Sequence, residues 1–462
     1  MKVLLIKPYN LSDHIQPSLG LGYLATAIRQ NHTVKILDCI KDNVTISKLP
    51  LKIKEFQPNV VGFQCYTFDL AYIKRSLEII KKINCQITTI IGGPHPSSVP
   101  EETMHYFGSD LDYAFVGEAE IGLPKLLDRL AGRKETALEE IPGLVWSKEN
   151  RIRMNQPILM DDLDKLGLPA WDLINPQTYP EAQHGAFFEN FPIAPIITTR
   201  GCPFHCTFCA AHLIAGRKLR KRSVNHILNE IKLLYANYGI REFHVVDDNF
   251  SWDRKFVKEF LERLIELNIK ISWAVPNGVR MDTFDTEILE LMQKSGLYLI
   301  SVGIESGTDR ILKMIKKGMT TEKIKKYLQM IKSSGIALAG FFIMGLPTEK
   351  RHEIEKTIKF SLELPLIRAN FFTYLPFPGT ESYNSLHSHG ELTKVDWENF
   401  YFMNAAYTPE GINRNELKHL QRKAFIKFYL RPKILYYNLT AIKSFRHLGF
   451  LLKRFYHWIV MN

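Results

Sequence analysis

The chain has 462 residues, 45% of them hydrophobic, with 60 Lys or Arg against 48 Asp or Glu and a formal net charge of +12. That length exceeds what one hydrophobic core serves and predicts two large domains. Six cysteines in so long a chain exclude a disulfide scaffold, the longest apolar stretches are too short to span a bilayer, and the amino-terminal MKVLLIKPYN meets a proline before a signal-peptide apolar region develops, so a cytoplasmic protein is expected.

Over the first 140 residues, apolar runs (KVLLIKP, HTVKILD, VVGFQC, ITTIIGG, YAFVGEAE) alternate with amphipathic stretches (LGYLATAIRQ, AYIKRSLEIIKKI, GLPKLLDRLA). Continuous apolar strands between helices predict a parallel sheet covered on both faces. The domain is therefore expected to be doubly wound and Rossmann-like, with its ligand crevice at the carboxyl ends of the strands. Residues 141–191 break into Pro-bearing and polar pieces and are expected to form an ordered linker. From 192 the alternation resumes, with IIT, EFHVVDD, SWAVPNG, LYLISVGIES, IALAGFFIMG and NFFTYLPFPG reading as strands. Six strands with helices between them predict a partial (β/α)6 TIM-like barrel over 192–380, its functional residues where strands run into the following loops. The fold class is α/β, closed by a basic, aromatic-rich helical region over 381–462.

The first connection of this barrel contains TTRGCPFHCTFCAAH, which places Cys202, Cys206 and Cys209 within eight residues. Three thiolates spaced CxxxCxxC can wrap a single cubane cluster and leave its fourth iron without a protein ligand. The competing reading is zinc, with His205 or His212 as fourth ligand. A structural zinc site, however, has no need of a barrel mouth.

With the aromatic Phe208 just before the last cysteine, CxxxCxΦC resembles the signature of the radical S-adenosylmethionine enzymes. The resemblance implies a 4Fe-4S cluster on Cys202, Cys206 and Cys209, S-adenosylmethionine on the fourth iron, and its cleavage to a 5′-deoxyadenosyl radical. It sets Phe208 against the adenine and makes His205 and His212 bystanders. It also implies S-adenosylmethionine contacts at Asp247 and Asp248 of HVVDDNF, at Arg280 of PNGVRMD, at Glu305 of VGIESG, and at Gly340 and Gly345 of GFFIMGLPTE. Read without the family, Asp247 or Asp248 is equally a helix cap and Arg280 a surface ion pair. Glu305 lies in a buried run, where an unpaired acid is costly.

In the first domain, the turn KPYNLSDHIQPSLGLGYL lacks GxGxxG, which argues against NAD. PSLGLGYLA, PNVVGFQCYT, IIGGPHPSSVPEE and FVGEAE resemble instead the cobalamin-binding domain of the cobalamin-dependent radical S-adenosylmethionine enzymes. DLDKLGLPAWDLI carries the resemblance through the linker, so that it covers residues 1 to 380. It implies cobalamin contacts at Pro17, Leu19, Gly20, Gly62, Gln64, Gly92, Gly93 and Glu118, the paired glycines allowing close backbone approach. LDCIKDN lacks the histidine of DxHxxG, so cobalt is expected without a lower histidine ligand; His95 reads as a packing residue. Cys39, Cys65 and Cys85 equal in number the second-cluster cysteines of the methylthiotransferases, yet their settings read as core or incidental.

From Asn415 to the end, ten Lys or Arg stand against Glu416 alone, interleaved with Phe, Tyr, Leu and Ile. Such a segment can pack on the barrel with its charges in water, lie on an anionic membrane surface, or contact nucleic acid; no RNA-binding motif supports the last. The function expected from the resemblance is methylation of an unactivated carbon of a small-molecule or lipid substrate, using the radical, methylcobalamin, and electrons from a flavodoxin or ferredoxin. The alternatives are a cobalamin-dependent rearrangement or cyclisation without methyl transfer, a methylthiotransferase-like reaction, and a non-catalytic iron-sulfur or corrinoid-binding protein.

Overall fold

The structure, a computed structural model, describes residues 1–10, 15–181, 188–397, 399–449 and 451–452. The chain forms two compact units: Met1–Pro180 with Arg200–Pro203 and Ala210–Ser223, and Glu181–Thr199 with Phe204–Cys209 and Val224–Asn462.

In the first unit, strands β1 (Lys2–Lys7), β2 (Thr33–Asp38), β3 (Val60–Gln64), β4 (Thr88–Gly92) and β5 (Tyr113–Phe115) pair in parallel in the order 2-1-3-4-5. Their apolar runs are continuous because both faces are covered. Leu4 and Ile6 join Val61, Phe63 and Ile91 under helix Leu70–Ile83, whereas Val3 and Leu5 join Val60 and Ile90 under helices Leu19–Ile28 and Gly122–Leu130. Each such side chain contributes roughly 1.5–3 kcal/mol when fully buried. Between β1 and β3 the winding reverses, which opens a crevice at the carboxyl ends of the strands.

Within the segment expected as a linker, residues 144–154 extend this sheet. Leu144–Lys148 (β6) pairs antiparallel with β5, and Arg151–Met154 (β7) with β6. Their turn sets Glu149 and Asn150 at φ 52° and 60°, the doubly left-handed geometry of a two-residue hairpin. Val145 then enters one core, and Leu144 and Trp146 the other. Further on, Thr26 Oγ1 donates to the Leu168 carbonyl at 2.6 Å, fastening the following stretch to helix Leu19–Ile28.

In the second unit, Ile193–Ile196, Glu242–Val245, Ser272–Val279, Leu297–Glu305, Ala337–Met344 and Arg368–Thr373 form a six-stranded parallel sheet in chain order, the partial barrel expected. Helices follow the strands, and several start on the side-chain caps expected of exposed first turns, Asp253, Asp285 and Thr320. Trp273 anchors one side of the core among Phe243, Phe250 and Phe260. The third and fourth strands lose register at their carboxyl ends, where the chain turns toward the site. Helix Arg414–Tyr429 covers the last strand: Phe425 and Phe428 pack on Phe371, and Gln421 Nε2 donates to the Phe371 carbonyl at 2.7 Å.

Candidate functional site

Cys202, Cys206 and Cys209 are half-buried and outside any disulfide, on a stretch without regular secondary structure that follows the first barrel strand. Among the described residues no three His, Cys, Asp or Glu side chains converge where one ion could sit. A cubane needs no such convergence, since each thiolate takes its own iron. The donor set therefore fits a cluster with three protein ligands.

In the second unit, several contacts hold this stretch. Asp247, at the end of the second strand, accepts from the backbone N–H groups of Thr198 and Thr199 (2.7 and 2.8 Å) and from both hydroxyls (2.5 and 2.8 Å). Burial pushes its pKa up to about 6 against these bonds. Thr207, between the cysteines, donates its N–H to the Ile315 carbonyl at 3.1 Å and receives both the N–H and the hydroxyl of Ser382 at 2.9 Å. The Arg280 guanidinium lies 3.8 Å from the centre of the Phe204 ring, whose edge meets Trp252; Asp282 holds it by two bonds (2.9 and 2.7 Å), and it donates to the Lys317 carbonyl at 2.8 Å.

These contacts give several of the expected residues partners within the chain. Asp247, expected at S-adenosylmethionine, clamps the strand that leads into the cysteines with both oxygens engaged. Arg280, expected at S-adenosylmethionine, is held by Asp282 and the Lys317 carbonyl over the Phe204 ring. Asp248 is exposed beside the clamp, and Phe208 is half-buried in the loop. Glu305 is buried as expected, and its partner is Lys317, whose Nζ donates to Oε1 at 2.8 Å. Burial alone would push the Lys317 ammonium down, but Glu305 and then Cys206 outweigh it and hold its pKa above the ordinary lysine value. A Cβ on Gly340 would meet Ile304 and Leu366 at 2.8 Å, and one on Gly345, at φ +80°, would meet Leu417 at 2.7 Å, so internal packing already requires both glycines.

The sequence reading missed Asn249. It is 1% exposed at the second strand's end, and both atoms of its amide are buried without a partner. Buried amides are normally bonded, so this orphan beside the cysteine loop's clamp is a group that a ligand or a water would satisfy. The run DDNF offered three polar residues, and only their satisfied partners tell them apart.

In the first unit, the approach to Cys202 is equally constrained. Gly201 has φ +93°, and a Cβ there would lie 2.4 Å from the Lys218 carbonyl; Cys202 N–H donates to the Gly216 carbonyl at 3.2 Å. Arg220 grips the Glu118 carboxylate with two bonds of 2.8 and 2.6 Å, and Arg200 reaches both Glu118 (3.1 Å) and Glu120 (2.8 Å). Burial alone would raise the Glu118 pKa, but these arginines hold it below the usual carboxylate value. Glu118, expected at cobalamin, is thus an internal ion-pair partner.

The other residues expected at cobalamin lie on the loop after β1, on helix Leu19–Ile28, on β3, and on or just past β4. Ser18 Oγ donates to Gln64 Oε1 at 2.6 Å, joining the loop after β1 to the end of β3. Pro17 and Leu19 are buried and Gly20 is exposed with nothing within 4 Å of a built Cβ. Gly62 is packed against Leu5, Gly92 ends β4 with only Phe115 near at 3.8 Å, and Gly93, at φ +113°, would set a Cβ 3.1 Å from the Cys65 carbonyl. Among the described residues, neither Gly20 nor Gly92 is crowded at the Cβ position, so neither is required by packing and both are available to a ligand. His95 is buried, 3.1 Å from Thr67 Oγ1, and burial lowers its pKa to about 4. Cys39 and Cys65 are buried while Cys85 is exposed, and burial pushes the Cys39 thiol up to about 12. Their division between core and surface favours incidental cysteines over a second cluster.

Comparison with known proteins agrees with both halves. Residues 196–361 match the Radical SAM superfamily, and residues 12–127 match the B12 binding domain. The chain is 32% identical over 461 residues to an uncharacterized methyltransferase of Pyrococcus horikoshii, covering 98% of this chain and 97% of that one. It is 29% identical over 435 residues to the cytidylyl-2-hydroxyethylphosphonate methyltransferase of Streptomyces wedmorensis, covering 82% and 80%. Its fold is similar to that of the cobalamin-dependent S-adenosylmethionine radical enzyme OxsB, solved with aqua-cobalamin and S-adenosylmethionine bound, at a TM-score of 0.74 and 17% identity over 100% of this chain and 71% of that one. A match along almost the full length, with both domains in order, places the chain in the cobalamin-dependent radical S-adenosylmethionine methyltransferase family.

Proposed function

We propose that this enzyme methylates an unactivated carbon of a small molecule. The observation that carries the reading is the cysteine triplet after the first barrel strand in a chain that also holds a parallel-sheet domain of the B12-binding type. When bound, the cluster with S-adenosylmethionine supplies a hydrogen-abstracting 5′-deoxyadenosyl radical, and cobalamin supplies the methyl group.

The chain's own residues bind and orient. Cys202, Cys206 and Cys209 hold the cluster, and Asp247, Thr207 and Phe204 under Arg280 fix their loop. The buried cation of Lys317 offsets negative charge that a cluster adds at Cys206. Asn249, not Asp247, offers free donor and acceptor atoms to the polar end of S-adenosylmethionine, and the crevice at Ser18, Gln64 and Gly92 receives the corrinoid. A flavodoxin or ferredoxin is the class of reductant, and the cytoplasm the place of work.

Anaerobic reconstitution, visible spectra and product mass test this reading. The wild type should show cluster and corrinoid absorption and add one methylene unit to its substrate. Replacing Cys202, Cys206 or Cys209 with Ala should remove the cluster spectrum and 5′-deoxyadenosine formation. A cysteine variant that still cleaves S-adenosylmethionine would overturn the assignment; a product with no added carbon would turn it toward rearrangement or cyclisation.

A further inference from the structure

The carboxyl-terminal helices Arg414–Tyr429 and Pro432–Thr440 have one face that the barrel does not use. The first buries Leu417, Leu420, Ala424 and Phe428, yet Ile426 is 48% exposed and Leu430, one turn on, 63%. On the second only Ile434 is buried, while Leu435, Tyr436 and Leu439 are 42%, 73% and 68% exposed, and Phe445 beyond them 94%. Ile426 with Leu430, and Leu435 with Leu439, stand four residues apart, so each pair forms a stripe along one helix side. Single exposed apolar residues need no explanation, but this concentration marks an interaction surface.

The charge around the stripe says what the partner is. From 417 to 452 there are eight Lys or Arg and no Asp or Glu. Lys427, Lys433, Lys443 and Arg446 are exposed, and among the described residues none of them has an ion-pair partner. A second copy docking by the same face would bring cations against cations. An anionic bilayer supplies both complements together, hydrocarbon for the stripe and headgroup charge for the rim. No helix among the described residues is long and apolar enough to cross a membrane, so the contact is peripheral. We propose that the face built from residues 426–446 docks on an anionic lipid surface, a property independent of the reaction proposed above.

Flotation of the full-length protein with vesicles of phosphatidylcholine, alone or mixed with phosphatidylglycerol, tests this. The protein should float with the anionic vesicles only, and high salt should release it. Leu435→Glu with Leu439→Glu, and separately Lys433→Glu with Arg446→Glu, should each lower vesicle binding by about tenfold or more, with melting temperature and S-adenosylmethionine cleavage unchanged. No binding to anionic vesicles, equal binding to neutral ones, or a dimer dispersed by the leucine pair without vesicle binding would overturn the proposal, the last assigning the face to a second copy. Retention by RNA without flotation would overturn it in favour of nucleic acid.

Discussion

Lys317 and Glu305 form a pair whose side chains are only 10% and 8% exposed, at 2.8 Å. Glu305 has φ +66°, a conformation that costs a non-glycine residue of order 1–3 kcal/mol. A Cβ on Gly303 would lie 2.3 Å from the Glu305 carboxylate and 2.7 Å from Lys317 Nζ, so the fourth strand's end is shaped around this pair. Lys317→Met leaves a buried charge without its partner and should cost roughly 3–5 kcal/mol. Adding Glu305→Gln removes that charge and should recover a large share. Denaturant unfolding of the single and double variants measures the coupling; a double variant no more stable than Lys317→Met would refute it.

Asp247 tests a division between clamping and ligand binding. In Asp247→Asn the side-chain NH2 replaces an acceptor that now faces N–H and O–H donors, at roughly 1–3 kcal/mol for each donor left unsatisfied. The cofactor-free variant should therefore melt earlier than wild type. Asn249→Ala should behave in the opposite way, weakening S-adenosylmethionine binding in isothermal titration while the cofactor-free protein melts close to wild type. An Asp247→Asn protein of unchanged stability that fails to bind S-adenosylmethionine would return Asp247 to its expected ligand role.

These two residues also show how far the sequence could be read. The strands, the six-strand order and the cysteine spacing follow from patterns within a few residues, and each is local enough to survive without a structure. The partners are not local. Glu118 lies 102 residues from Arg220, and Asp247 lies 49 from Thr198, so whether an acid is spent inside the protein or offered to a ligand depends on pairings that no spacing encodes. The hairpin of β6 and β7 was hidden for another reason: Glu149 and Asn150 adopt left-handed geometry without the Asn-Gly signal that normally announces it.

His95 gives the fold a pH dependence. Burial lowers its pKa from 6.5 to about 4, so on acidification the unfolded chain takes up this proton first. The stability His95 contributes is complete above about 6.5 and is lost as pH falls through 4, at most about 3 kcal/mol from this group. His95→Gln should flatten the fall in melting temperature across that window. An unchanged slope would place the titrating group elsewhere.

Gly92 and Gly93 separate what the fold needs from what the cofactor needs. Gly93→Ala would bring a Cβ to 3.1 Å from the Cys65 carbonyl at φ +113°, and the strain should destabilise the cofactor-free protein by roughly 1–3 kcal/mol. At Gly92 the nearest atom is Phe115 Cβ at 3.8 Å, an ordinary contact, so Gly92→Ala should leave stability within about 0.5 kcal/mol. The added methyl group would nevertheless stand at the carboxyl end of β4, where a ligand of such a sheet binds. Corrinoid absorbance per chain after anaerobic reconstitution should therefore fall in a protein that melts normally. Full corrinoid loading in Gly92→Ala would mean that the ligand does not approach β4, and that the glycine pair serves only the turn at Gly93.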